Sequence, residues 1–424
     1  MKKKVIIKAP ILTRSGYGEH SRFVLEALKS RQDLFDIYIV PLNWGQTSWV
    51  VESNDDRQFI DDTILKTTQY LQEFNNNPQN KGKAPFDISL QVTIPNEWEN
   101  LATKNIGVTA GIETTKVAPV WIEKAKMMDK IIVPSKHARD IYNNTAYQAT
   151  NTITNETMLF KNDTEISVVP YSSRKFKPAK TSLDFDTNFN FFTVSQWSPR
   201  KNLENTIKWF IEEFYDNSDV GLVIKTNLAK NCLMDREMCT QRIKALLSEY
   251  KERECKIYLL HGHMTDEELA SVYTHPKIKA FYTLTHGEGF GLPIFEAACQ
   301  ALPVVAPSWS GHCDFLSAPS SSKKAKNKMR PHFLKVDYDL EVIPESVAWE
   351  GVIQKDSMWC NPRQGSAKMA LRNMYKNHER HTSIAKKLQK WVVKEFSADK
   401  LHKDLIKILE VEDTDNSNDL VIVQ

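Results

Sequence analysis

Short apolar runs recur along the chain, each closed by small or polar residues and followed by a stretch of helical spacing. In the first part the runs are residues 5–7, 35–42, 87–92, 106–110, 129–135 and 166–170. In the second part they are residues 190–194, 220–225, 256–260, 278–284 and 304–306. Short apolar runs bounded by turn residues predict buried strands. Strands alternating with helices predict parallel sheets, because a parallel pair needs a crossover long enough to hold a helix. Phe23, Leu25 and Leu28 form the apolar face of a first helix, and Leu292, Ile294, Phe295, Ala298 and Leu302 that of a later one. Further helices are predicted over 239–250, 359–375 and 385–409. Ser135 is placed to cap the helix after its strand, and Thr265 with Glu268 forms a capping box. The rest reads as connections: a polar, acidic stretch at 44–80, a hairpin or loop insertion at 147–164, a basic loop at 323–330 and a frayed acidic tail at 411–419.

One stretch stands apart. The chain has 14 glycines in 424 residues, about half the usual ~7% share. Three of them, Gly287, Gly289 and Gly291, lie between the 278–284 strand and the helix that opens at Leu292. Such a concentration requires positive φ or a close approach of backbone to something else. Pro303 ends the helix and the next strand follows, so the segment is a βαβ unit. Its loop meets a helix N-terminus at the carboxyl end of a strand, where amides and helix dipole favour an anion such as a diphosphate. The amides in question belong to Gly289, Phe290, Gly291 and Leu292. Glu288 sits in the loop, on a flexible turn able to face a pocket mouth, and Glu296 in the helix behind it. A carboxylate accepts two hydroxyl hydrogen bonds, which suits a ribose diol.

Three other junctions carry candidate chemistry. Gly16 and Gly18 lie where the first strand meets its helix, as a tight turn or as a ligand-facing loop. Glu113 follows the 106–110 strand, in a capping role or a catalytic one. Arg200 and Lys201 lie after the 190–194 strand, at the start of a helix that begins at about Asn202. Two cations there oppose the helix dipole, so a bound anion accounts for them better than a solvated helix start does.

The motif HGEGFGLPIFEAACQALPVVAP at 286–307 resembles the signature of retaining nucleotide-sugar glycosyltransferases of family 4. DKIIVPS at 129–135 and YSSRKFKP at 171–178 are similar to the family's strand element and interdomain crossing, so the likeness covers most of the chain. It implies the GT-B fold: α/β, two Rossmann-like domains with parallel sheets facing across a cleft. The division would be 1–180 for the acceptor domain and 181–395 for the donor domain. Residues 396–424 would form a helix returning to the first domain plus a tail. The resemblance also implies sugar transfer from a nucleoside diphosphate sugar to a hydroxyl acceptor such as a glycan or glycoconjugate, with retention by same-face attack. Arg200 and Lys201 would then meet the diphosphate, Glu288 the donor sugar and Glu296 the ribose. Gly16 and Gly18 would face the phosphates and acceptor, and Gly262 with His263 would border the base. The chain departs from the pattern twice. Ser195-Gln196 replaces a Gly-Arg pair, and Glu113 stands where many members have a histidine.

Composition narrows the alternatives. The hydrophobic fraction of 41% and charged fraction of 26% are those of a soluble globular protein, and no apolar run approaches the ~18 residues of a membrane span. All six cysteines (Cys232, Cys239, Cys255, Cys299, Cys313 and Cys360) fall in the second half without zinc-like pairing. They read as free thiols of a cytoplasmic protein. The net charge of +3 does not announce a nucleic-acid partner. A modified DNA base stays open as the acceptor, and a nucleotide-sugar binder that has lost transfer activity is the reading from another class. Asp-x-Asp triplets beginning at Asp184, Asp337 and Asp413 read as solvated turns. No metal and no cofactor are expected.

Overall fold

The computed structural model describes residues 2–45, 47–150, 156–174, 177–180, 182–320 and 328–410. The first part of the chain forms β1 (Lys3–Ala9), α1 (Gly16–Lys29), β2 (Phe35–Pro41), α2 (Asp55–Asn76), β3 (Phe86–Val92) and β4 (Ala102–Val108). It continues with α3 (Pro119–Ala125), β5 (Lys130–Val133), α4 (Lys136–Asn144), β6 (Ala146–Thr150), β7 (Thr157–Lys161) and β8 (Ile166–Val168). Six of these strands make a parallel sheet in the order β2-β1-β3-β4-β5-β8. Val5, Ile7, Leu90, Val92, Ile106, Val108 and Ile132 are fully buried, as expected where helices cover both faces of a sheet.

The second part opens with β9 (Phe189–Gln196), α5 (Leu203–Glu213), β10 (Val220–Asn227), α6 (Leu233–Leu247), β11 (Lys256–Leu260), α7 (Asp266–Tyr273), β12 (Ile278–Tyr282) and α8 (Leu292–Cys299). Then come β13 (Val304–Pro307), β14 (Ser317–Pro319), β15 (Met329–Pro331), β16 (Leu334–Val336), β17 (Tyr338–Val342) and β18 (Met358–Pro362). Three helices close it: α9 (Gln364–Lys376), α10 (His378–Glu395) and α11 (Ala398–Ile408). The second parallel sheet runs β11-β10-β9-β12-β13-β16. Among the described residues, no helix is long and apolar enough to cross a membrane.

The end of the described chain lies on the first sheet's helices and strands. α11 packs against α1, with the His402 and Phe23 rings 5.3 Å apart. Glu410 pairs with Lys104 and Lys130, near the starts of β4 and β5.

Four expectations change. The polar 44–80 connection contains α2, whose buried positions are Ile60, Thr63 and Thr67 alone. So narrow and polar a face leaves no hydrophobic period to read, although Asn54 caps the helix on the Arg57 amide. Trp359 lies on β18, paired with β17, and the helix begins at Gln364. The 385–409 segment is two helices, broken at Phe396 and Ser397. α6 starts at Leu233, where Leu233, Met234 and Met238 are exposed and blur the apolar face. The hairpin at 147–164 is present as β6 and β7, and both caps form: Ser135 accepts from the Ala138 amide, and Thr265 and Glu268 complete the capping box. The tail at 411–419, Asp413 and residues 323–327 of the basic loop lie outside the described residues.

Candidate functional site

A cleft of about 560 Å³ lies between the carboxyl ends of the two sheets. Strand order in the second sheet reverses between β9 and β12, so the loops that follow them diverge and leave a crevice, the usual ligand position in open α/β sheets. The loop after β9 brings Arg200 and Lys201 to it, and the loop after β12 brings Glu288 to Leu292.

These side chains form one cluster. The Lys201 ammonium donates to Glu288 Oε1 at 2.5 Å, and Arg200 Nη1 lies 3.3 Å from Oε2. Thr285 donates to Oε1 at 2.9 Å. Arg200 Nη1 also donates to the Gly287 carbonyl at 2.7 Å, and Nη2 lies 3.4 Å from Glu113 Oε1 across the cleft. Glu288 is therefore buried and held by two cations, instead of riding a flexible turn at the mouth. Burial alone would raise its pKa, but Lys201 and Arg200 outweigh that and hold it at about 2. Burial lowers the Lys201 ammonium against the attraction of Glu288.

The three loop glycines have separate causes. A Cβ on Gly287 would overlap the Glu113 carbonyl, and one on Gly289 the Ala110 carbonyl, both in the opposite domain. The Gly289 carbonyl also accepts from the Ser135 hydroxyl at 2.7 Å. Gly291 has φ +96° and is the N-cap of α8, a left-handed position that disfavours a Cβ. With no side chain on that cap, the amides at the start of α8, Pro293 excepted, are left uncapped beside Phe290 and Leu292 at the cleft wall. Helix termini leave such amides for a ligand.

Glu296 also faces the cleft. Tyr273 donates to its Oε2 at 3.0 Å, and Arg174 lies 3.6 Å from Oε1. Burial raises the carboxyl to about 7, with Arg174 and Tyr273 opposing the rise and Asp266 and Glu19 adding to it. Gly16 borders the cleft, and its missing Cβ would meet no atom within 4 Å. Gly18 does not line the cleft: a Cβ there would overlap the Thr13 carbonyl, so this glycine serves the turn. Gly262, at φ +108°, and His263 both line it. Glu113 faces Arg200 and caps no helix, since α3 begins behind Ala118.

Other residues of the cleft carry no motif in the sequence. Tyr17 donates or accepts at Thr109 Oγ1 over 2.7 Å. Arg14, Arg174, Lys225 and Thr226 line the walls. Lys225 closes a strand predicted from its apolar run, and a cation at the carboxyl end of a parallel strand is the signal that could have found it. Gln196 lines the cleft too, but its amide donates to the Leu228 carbonyl at 2.7 Å.

The fold brings Asp235, Cys239 and His261 within 4.8 Å of one another, a grouping invisible in their spacing. They do not suit a metal. Asp235 already accepts from the amides of Leu228, Ala229 and Lys230 at 2.9, 2.7 and 2.8 Å, and lies 2.8 Å from His261. Burial raises the Cys239 thiol to about 11. The group ties the loop after β10 to α6. Of the Asp-x-Asp triplets, Asp184 is exposed beside Lys277, and Asp339 pairs with Arg363.

No family model matches the chain. A segment of 116 residues, 27% of this chain, is 30% identical to the serotype-specific mannosyltransferase WbdA of Escherichia coli, and the match spans only 13% of that protein's length. HepE of Anabaena, solved in complex with UDP and glucose, aligns over 96% of this chain and 99% of its own, with a TM-score of 0.58 and 10% identity. Sucrose-phosphate synthase of Thermosynechococcus elongatus aligns over 96% and 98%, with a TM-score of 0.58 and 12% identity. The chain has the GT-B glycosyltransferase fold, two Rossmann-like domains facing each other across the cleft.

Proposed function

We propose that the chain is a retaining glycosyltransferase of family 4, moving a sugar from a nucleoside diphosphate sugar to a hydroxyl of a glycan or glycoconjugate. The observation that carries this reading is the meeting of Arg200, Lys201, Glu288 and the uncapped start of α8 at one crevice, with Glu296 on the same wall. As the glycosidic bond breaks, negative charge grows on the departing diphosphate. Donors already fixed around that position stabilise it without reorganising during the reaction. Lys201, Arg200 and the loop amides take this role, and Glu288 holds the two cations in place beside the donor sugar. Glu296 receives the ribose hydroxyls. Gly16 leaves space for the acceptor, and Gly262 with His263 borders the base. Glu113, close to Arg200, faces the reacting centre from the other domain.

The names of the similar proteins support sugar transfer, and that of HepE a nucleotide-linked donor. HepE was solved with UDP and glucose, and WbdA is a mannosyltransferase. In this reading residues 1–180 serve the acceptor and 181–395 the donor, and α11 returns the chain to the first domain. The cations of the cleft, rather than a metal, meet the charge of the diphosphate in this reading. The test is incubation of purified protein with a panel of nucleoside diphosphate sugars and oligosaccharide acceptors, reading released nucleoside diphosphate and the anomeric configuration of the product. Release of nucleoside diphosphate with an inverted product would refute retention. Tight donor binding with no turnover on any acceptor or water would favour a binding protein.

A further inference from the structure

The charges already named in the crevice largely satisfy one another. Arg200 and Lys201 face Glu288 and Glu113, two cations to two carboxylates. Arg14 pairs with Glu52, and Arg174 lies against Glu19, Asp266 and Glu296. A diphosphate brings further negative charge, and a cation with donors to spare would add to what Arg200 and Lys201 give it. Lys225 is such a cation. Its Nζ donates to the Gly262 carbonyl at 2.6 Å and forms no ion pair among the described residues, which leaves two N–H groups for a ligand. It stands at the carboxyl end of β10, where Lys225, Thr226 and Asn227 lie in register with Val194, Ser195 and Gln196 of β9.

Two neighbours are unsatisfied as well. The hydroxyls of Ser195 and Thr226 are buried at the cleft wall and have no hydrogen-bond partner among the described residues. Buried hydroxyls without partners are uncommon because desolvation is then uncompensated. Gln196 offers no charge, and its amide is engaged with Leu228. Burial, and after it the Arg14 guanidinium, lowers the Lys225 ammonium, and among the described residues no carboxylate pairs with it.

We propose that Lys225, with the hydroxyls of Ser195 and Thr226, forms a second phosphate-binding point of the donor cleft. It supplies the charge that the Gln196 position lacks. The inference rests on the cleft being a nucleoside diphosphate site, and the experiment separates the two. UDP, GDP, ADP, CDP and dTDP, each with its nucleoside, are titrated calorimetrically into the wild type, Lys225→Gln and Lys225→Arg. For the diphosphate that binds, Lys225→Gln is expected to lose about 10- to 100-fold in affinity, the range for a charge-assisted hydrogen bond. Affinity for the nucleoside should be unchanged, and Lys225→Arg should keep most of the diphosphate affinity. If Lys225→Gln does not fold, the double variant Ser195→Ala/Thr226→Val carries the test through a selective loss of diphosphate affinity. Equal diphosphate affinity in the wild type and the folded variant overturns the second phosphate point while leaving the cleft's assignment standing. A wild type that binds none of the five diphosphates overturns the assignment of the cleft, and this inference falls with it.

Discussion

The carbonyl oxygen of Gly289 accepts a hydrogen bond from the Ser135 hydroxyl at 2.7 Å, joining the glycine loop of the second domain to the first. Ser135 spends the same oxygen on the Ala138 amide at the start of α4, so cap and domain contact share one side chain. Gly289 is closed in further by the Ala110 carbonyl. Gly289→Ala must push backbone against backbone, and overpacking of this kind costs roughly 1–3 kcal/mol. Gly16→Ala meets open space and should leave the melting temperature unchanged or slightly raised, while its methyl intrudes on the cleft. Thermal melts of both variants check this, and equal melting temperatures would mean that the glycine loop does not hold the domains together.

Glu296 ties stability to pH. Its folded value, about 7, lies above the usual 4.5, so the folded protein holds that proton more tightly than the unfolded chain does. Its contribution is complete below about 4.5 and is lost as pH rises through about 7. Glu296→Gln should remove this falling component. In denaturant melts from pH 4 to 8, wild-type stability minus variant stability should decline across that window. Parallel curves would place the carboxyl in ordinary solvent. At pH 8, where the carboxyl is ionised, the same variant is expected to weaken nucleoside diphosphate binding about 10-fold or more, as loss of a charged acceptor for two hydroxyls implies. Unchanged affinity would remove the ribose from Glu296.

Much of this was legible because the physics is local. Strands buried on both faces read as apolar runs, and Thr265 with Glu268 needed only four consecutive residues to declare a cap. The glycine cluster pointed correctly to close backbone approach, but not to what approaches. Gly287 and Gly289 face carbonyls more than 170 residues earlier in the chain, and no local pattern records such a partner. The burial of Glu288 is hidden for the same reason, since a carboxylate in a glycine loop looks exposed until Lys201 and Arg200 are folded onto it. α2 is not legible because a helix with few buried positions carries little periodicity. Lys225, Ser195 and Thr226 came together through the pairing of β9 with β10, which spacing alone does not disclose.

Asp235 offers a test of structural against metal chemistry. It accepts three backbone amides and faces His261, and these contacts hold its carboxyl well below the usual range despite burial. Its stabilisation is present above the usual carboxylate pKa and fades as pH falls below it. Asp235→Ala should lower stability by about 2 kcal/mol or more, as loss of a charged acceptor leaves buried donors unpaired. A chelator should change neither the melting temperature nor the turnover of the wild type. Activity that vanished with chelator and returned with Mn²⁺ or Mg²⁺ would overturn the metal-free reading.

Lys201 tests the mechanism most directly. Lys201 lies in the cleft beside Arg200 and the glycine loop, so it should carry a large share of leaving-group stabilisation. Losing one preorganised donor to a developing anion costs about 2.7–4 kcal/mol, on the order of 10²–10³ in kcat. Lys201→Ala should lose at least that much turnover, with a smaller change in donor affinity. It also leaves Glu288 buried with Arg200 as its remaining cation, and breaking a buried pair typically costs roughly 3–5 kcal/mol, so a drop in stability must accompany it. Lys201→Met combined with Glu288→Gln removes both charges and should recover much of that stability without recovering the rate. The two effects separate in this way: stability follows the pairing of the charges, and turnover follows the cation. A folded Lys201→Ala protein with near-normal kcat would show that the departing diphosphate lies elsewhere, and the roles given to Arg200 and the α8 amides would fall with it.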